Sequence, residues 1–183
     1  MPRPLTPGLE DRILDAAQTL WSEGGEQALS IRAVADRAGT HPPRIYARFE
    51  DKEALVRALR TRAVAHWRAS ISGASSLRDG LIRYLDFATD EPFEYQLLFG
   101  PGFYKRADRT DRGRPLEVLK RALASERGGV ADDYDSRART IWALLHGTAM
   151  LQQEFPAGPA RSDFRDACLN ACDLIGSNGA DSG

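Results

Sequence analysis

Apolar residues recur at intervals of three and four along this chain, from Ile13 near its start to Ile175 near its end, and nowhere settle into the strict alternation of a half-buried strand. That periodicity restricts the fold to packed helices, and capping and stop residues set where each one runs. Thr6 is a cap and Pro7 a first helical residue for a helix whose stripe is Ile13, Leu14, Ala17 and Leu20, ended by Gly24-Gly25. Ser30 caps a second, with Ile31, Val34, Ala35 and Ala38 inward, Asp36 and Arg37 outward, and Gly39 as its stop. Thr40 is the expected cap of a third. Its two prolines, Pro42 and Pro43, fall in the first turn, where backbone N–H groups have no intrahelical partner, so they start a helix instead of breaking one. Ile45 and Phe49 then share its inner face, with Arg44, Tyr46 and Arg48 directed elsewhere.

Asp51 caps a long fourth helix with Leu55, Val56, Leu59, Ala63, His66 and Trp67 expected along its inner side, closed by "SISGASSL". Further helices are expected over Leu77 to Asp90, from Pro92 through "FEYQLLF", over Pro115 to Glu126, Asp135 to Gln153 and Phe164 to Ile175. Between them "YKRADRTDRGR" is an expected exposed, mobile charged loop and "FPAGPAR" a turn. The fold class is therefore all-α with about nine helices: a helix-turn-helix domain over residues 1–50, a helical regulatory and dimerisation domain over 51–176, and a disordered tail over 177–183.

At 183 residues the chain is long enough to build a core without disulfides or metals. Its longest apolar run, "IWALLHGTAML", falls short of the roughly 20 residues a membrane-spanning helix requires. With a short, proline-rich start, Met1 to Gly8, in place of an apolar leader, the expected setting is the cytoplasm. The formal net charge of −1 carries no global nucleic-acid signature. Between Arg32 and Arg68, however, nine basic residues face four acidic ones, and phosphate contact needs only a local positive surface.

Catalytic and metal chemistry lack residues. The three histidines, His41, His66 and His146, are far apart, and the Gly-Gly pairs at 24 and 128 have neither the lysine nor the strand of a phosphate loop, so no enzyme activity, cofactor or metal is expected. Cys168 and Cys172 lie one helical turn apart, a spacing open to thiol sensing or zinc, though no basic neighbour activates either thiol and small buried side chains fit better.

Two short helices joined by a tight glycine turn and backed by a third helix form a helix-turn-helix arrangement, whose second member enters the major groove of DNA. Small helical hairpins without that function share the pattern. The segment "LSIRAVADRAGTHPPRIYARFEDKEALVRAL", Leu29 to Leu59, is more specific: with its Tyr-x-x-Phe element running into x-Lys-Glu-x-Leu, it resembles the DNA-binding segment of the TetR family of transcriptional repressors. "EYQLLFGP" and "IWALLHGTAML" further resemble the subgroup with a Trp-x-x-x-His-Gly element, here Trp142, His146 and Gly147.

The resemblance implies a homodimer that binds a double-stranded, palindromic operator and senses a small-molecule effector. The family's recognition helix corresponds to Thr40 to Arg48, so Thr40, His41, Pro42, Arg44 and Tyr46 are the implied DNA-facing positions, with Lys52 matching a phosphate-binding lysine and Arg32 a further phosphate candidate. The residue chemistry agrees, since Arg44 can give two parallel bonds to guanine, Tyr46 can donate to phosphate and Lys52 supplies a point charge. His41 departs from the serine of many relatives. An apolar or aromatic effector is expected among Trp67, Tyr84, Phe87, Phe93, Tyr95, Phe99, Phe103, Trp142 and His146, although aromatics at helical spacing also serve simply as core. The last two helices are implied to pair across a two-fold axis, with Ile141, Leu144, Leu145, Thr148, Ala149, Leu151, Phe164, Cys168, Leu169 and Cys172 as an undivided interface-or-core set. A helical interaction or small-molecule-binding module without operator recognition is the alternative reading.

Overall fold

The computed structural model describes residues 8–100, 109–155 and 157–177, with side chains of the second stretch described from 115 onward. Among these residues there are nine α-helices, one 3-10 turn and no strand. In order they are α1 (Leu9–Ala28), α2 (Ile31–Arg37), α3 (Pro42–Tyr46), α4 (Lys52–Ile71), α5 (Leu77–Asp90), α6 (Pro92–Phe99), α7 (Arg109–Arg127), the 3-10 turn (Ala131–Tyr134), α8 (Asp135–Glu154) and α9 (Pro159–Ser177). The fold is all-α, with N-terminal helix-turn-helix elements joined by the long α4 to a C-terminal helical domain. Two compact units, Met1–His66 and Trp67–Gly183, divide the chain within α4.

Local chemistry explains the first unit. The Ser30 Oγ accepts the Ala33 N–H at 3.1 Å to begin α2, and the Asp51 Oδ1 accepts the Ala54 N–H at 2.6 Å to begin α4. Gly39, at φ 62°, closes α2: its N–H donates to the Asp36 carbonyl and that of Thr40 to the Ala35 carbonyl, the paired bonds of a Schellman turn. Helical geometry in α1 fails at Gly24 and Gly25, as the glycines foretold, but a further turn then reaches Ala28. Ile13, Ala17, Val34, Ala35, Ile45 and Leu55 are fully enclosed, and a Val, Leu or Ile side chain so buried contributes about 1.5–3 kcal/mol by leaving water.

In the second unit α8 packs against α5, α7 and α9, so the core gathers on Leu81, Leu85, Leu123, Ala138, Ile141, Leu145 and Ala149. Ion pairs secure its rim. Lys120 on α7 holds Asp132 at 2.7 Å and Glu117 at 3.1 Å, while Arg165 on α9 reaches Asp86 on α5 at 2.7 Å and Arg78 on α5 pairs with Asp173 on α9.

Three expected boundaries move. The charged stretch thought to be a loop is helical from Arg109, placing Pro115 inside α7 instead of at its start; the cost of one missing backbone donor is tolerable while Leu119 and Leu123 are buried farther along the same helix. α9 begins at Pro159, within the expected turn, since proline is at home in a first helical position, and it includes Ser177, the first residue assigned to the tail. The 3-10 turn was not anticipated: Tyr134 is buried there, and its hydroxyl donates to the Gly128 carbonyl at 2.8 Å. Thr6, Pro7 and residues 178–183 lie outside the described residues.

Candidate nucleic-acid interface and ligand cavity

α3 is only five residues long, and its orientation is set from beneath. Ile45 is fully buried and Phe49, just beyond the helix, nearly so, which fixes the rotation of the segment and leaves Arg44 partly exposed and Tyr46 54% exposed. Thr40 does not cap α3. His41 occupies the cap position without a side-chain cap bond, because the Thr40 N–H completes the turn after α2; the buried Thr40 hydroxyl has no hydrogen-bond partner among the described residues. Pro42 stands in the first helical turn, as expected, and His41 is exposed beside it.

The cations sort into two groups. Arg37 grips Glu23 through both guanidinium nitrogens at 2.7 and 2.8 Å, and Arg62 pairs with Asp15 at 2.6 Å while also donating to Gln18. Both are occupied within the unit. Among the described residues Arg44 and the exposed Arg32 form no ion pair, so their donors remain available to an outside acceptor. Lys52 is intermediate: its Nζ donates to the Glu26 carbonyl at 3.0 Å, which anchors the ammonium at the end of α1 and leaves two of its three donors.

A cavity of about 230 Å³ lies wholly in the second unit, lined by residues of α4, α5, α7, α8 and the segment between α4 and α5. Of the aromatic candidates, Trp67, Tyr84 and Trp142 line it. Tyr95, Phe99 and His146 are packed as a layer outside its lining, Phe87 is core, Phe93 is half-buried away from it, and Phe103 lies outside the described residues. The rest of the wall comes from Leu145 and from residues that no pocket expectation named, including Leu77, Gly80, Val118, Ala122, Ser75 and Glu126. Small and aliphatic side chains make the room; the aromatic signal located only part of it.

Behind the wall runs a chain of polar tips. The Tyr84 and Tyr95 hydroxyls are 3.1 Å apart, and the Tyr95 hydroxyl is 2.7 Å from His146 Nδ1. His146 stacks on Trp142 with ring centroids 5.3 Å apart and planes 10° from parallel. Burial pushes the Tyr95 phenol well above its usual range, against a smaller pull from Tyr84, and holds the His146 imidazole below its own. With His146 neutral and its proton on Nε2, Nδ1 can accept from the Tyr95 hydroxyl, whose oxygen can in turn accept from Tyr84.

Comparison with known proteins places both halves. Bacterial regulatory proteins of the tetR family match residues 13–59, and the tetracyclin repressor-like C-terminal domain matches residues 77–171, more than half of the chain. The chain belongs to the TetR family. Members of this family generally act as DNA-binding, ligand-responsive regulators. The HTH-type transcriptional regulator UidR of Escherichia coli K12 is 32% identical over 91 residues, 48% of this chain and 46% of that protein. The TetR-family chain thus spans about half the length of the curated relatives it matches. Among solved structures, a TetR-family regulator from Rhodococcus sp. aligns over 94% of this chain and 100% of its own at 25% identity, with a TM-score of 0.67. A TetR-like regulator from Rhodococcus sp. RHA1 covers 95% and 96% at 19% identity with a TM-score of 0.67. A TetR variant from Acinetobacter baumannii AYE, solved with minocycline, covers 95% and 96% at 20% identity with a TM-score of 0.62.

For this TetR-family chain the interface-or-core set divides on burial. Ile141, Leu145, Thr148, Ala149, Cys168, Leu169 and Cys172 are buried within the single chain, and Leu145 also lines the cavity. Leu144 is half-buried; Leu151 and Phe164 are 44% and 42% exposed, the latter stacked on Phe155 at 5.3 Å. Leu174, which sequence reasoning passed over, is 70% exposed on α9. No helix among the described residues is long and apolar enough to cross a membrane.

Proposed function

We propose that this chain is a non-enzymatic cytoplasmic repressor that binds a palindromic DNA operator as a homodimer and is released by a small molecule entering the second-unit cavity. The observation that carries the reading is the pair Arg44 and Tyr46, which make no ion pair among the described residues and stand on an α3 whose rotation buried Ile45 fixes. Arg44 reads a guanine edge, Tyr46 and Arg32 meet phosphates, and Lys52 adds positive charge near the backbone. Two reading heads about 34–36 Å apart fit successive half-sites, and the exposed Leu151, Phe164 and Leu174 on α8 and α9 are apolar surface suited to pairing with a second copy. Trp142, His146 and Gly147 support assignment to the Trp-x-x-x-His-Gly subgroup, the histidine holding Tyr95 in place. α4 carries the signal: it begins at Lys52, and its last turn supplies Trp67 and Ile71 to the cavity wall.

Fluorescence anisotropy of the full chain on DNA flanking its own gene, against a shuffled duplex at about 0.15 M salt, tests the proposal. A preference of about a hundredfold or more is expected. Equal binding to both duplexes there and across a selection of genomic fragments would remove operator recognition.

A further inference from the structure

His41 stands exposed at the cap position of α3, just ahead of the two side chains assigned to DNA. Its imidazole makes no cap bond, and among the described residues it has no hydrogen bond, ion pair or ring contact. The charged groups around it are engaged elsewhere or open to solvent. On α2, which packs against α3, Arg37 is gripped by Glu23, while Arg32 and Asp36 are exposed. On α3 itself the cation is Arg44. At the start of α4, Asp51 accepts the Ala54 N–H, Lys52 donates to the Glu26 carbonyl, and Glu53 lies 4.0 Å from Arg57.

The first turn of α3 has no backbone donor to spare for an anion. Pro42 and Pro43 lack an N–H, and that of Arg44 donates to the His41 carbonyl at 2.9 Å. A phosphate passing this end of the helix is therefore met by a side chain, and His41 is the residue placed there. A neutral imidazole offers one N–H; an imidazolium offers two and a charge, and charge-assisted bonds are roughly twice as strong as neutral ones. Histidine is also the side chain whose charge ordinarily changes between about pH 5 and pH 8.

Resting on the reading of α3 as the helix that meets DNA, we infer that His41 grips a backbone phosphate as an imidazolium, so that each protomer takes up a proton on binding and DNA affinity rises as pH falls. A phosphate beside an imidazole favours its charged form, and by linkage the charged form favours the phosphate, so acid strengthens the complex and alkali weakens it. The contact carries no sequence information: it tightens any duplex that reaches α3, while Arg44 sets which duplex is preferred.

Anisotropy titrations of the full chain between about pH 5.5 and about pH 8.5 at constant ionic strength, on the preferred and on a shuffled duplex, test this. A gain of about tenfold or more at the acid end is expected on both duplexes, with a salt dependence steeper there by about one counterion per protomer. His41→Gln should lose the gain and keep one salt slope throughout, while His66 and His146, still present, control for other titrations. His41→Lys, charged across the whole range, should bind with a pH-independent affinity above that of His41→Gln. Circular dichroism melting confirms that both variants fold. Affinity independent of pH in the unmodified chain, a pH dependence that survives His41→Gln, or a gain confined to the preferred duplex overturns the inference. An acid gain that depends on His41 but comes with no preference between duplexes keeps the phosphate contact and removes operator recognition; no binding to either duplex at any pH overturns both.

Discussion

Arg44 and Tyr46 in the first unit, and Tyr84, Tyr95 and His146 in the second, are polar side chains treated in opposite ways by the same chain. On α3 the donors face outward and make no ion pair among the described residues, because the apolar side of a five-residue helix is too small to bury anything except Ile45. In the second unit the polar tips are turned on one another behind the cavity wall, and the space itself is lined mostly by apolar side chains. A surface meant for a charged polymer keeps its donors solvated until contact, since phosphate attraction acts through a local positive surface. A recessed apolar site works differently: a polar group buried in its wall without a partner bears a desolvation cost, so a few polar groups suffice for selectivity.

The largest test of this contrast is Ile45→Ala. Truncation of a fully buried isoleucine is expected to destabilise the first unit by about 2–5 kcal/mol, read by urea denaturation, and to abolish DNA binding. The second unit's own thermal transition should persist; its loss would show that the two units unfold together. Next comes Arg44→Ala, expected to cost about 1–3 kcal/mol on the preferred duplex and to flatten preference at one base pair. Lys52→Ala should instead weaken all duplexes alike and lessen the salt dependence, so the comparison is sharpened if the two variants separate and broken if they behave identically.

On the sensing side, Tyr95→Phe removes the hydroxyl that links Tyr84 to His146 and is expected to cost about 1–2 kcal/mol in thermal or urea unfolding. The smallest effect concerns pH. Burial depresses the His146 pKa below its ordinary 6.5, so the folded state binds fewer protons than the unfolded chain as pH falls past that value. The contribution of His146 is fully present above pH 6.5 and is lost as pH drops through the lower folded value. Stability measured across this window should decline more gently in His146→Gln than in the unmodified protein; parallel curves would mean that the imidazole is not held neutral by the fold.

The chain's own order of residues determined the helices and the helix-turn-helix, for reasons that are local. Ser30, Gly39 and Asp51 act on backbone groups within a few residues, and Pro42 and Pro43 need only an unpaired first turn, so caps and stops could be placed before any packing was known. Thr40 misled because two roles compete for one residue, and finishing α2 prevailed over starting α3. Cavity and core were decided only in three dimensions. Trp67, Leu77, Ala122 and Trp142 are distant in sequence, and whether an aromatic side chain lines a space, as Trp142 does, or fills the core, as Phe87 does, depends on how helices from four parts of the chain meet. The same holds for α8 and α9, where periodicity marked Leu151 and Ile141 alike as apolar, and packing buried Ile141 while leaving Leu151 exposed. Helical spacing states which side chains share a face; the volume left between faces is a property of all of them together, and no single stretch carries it.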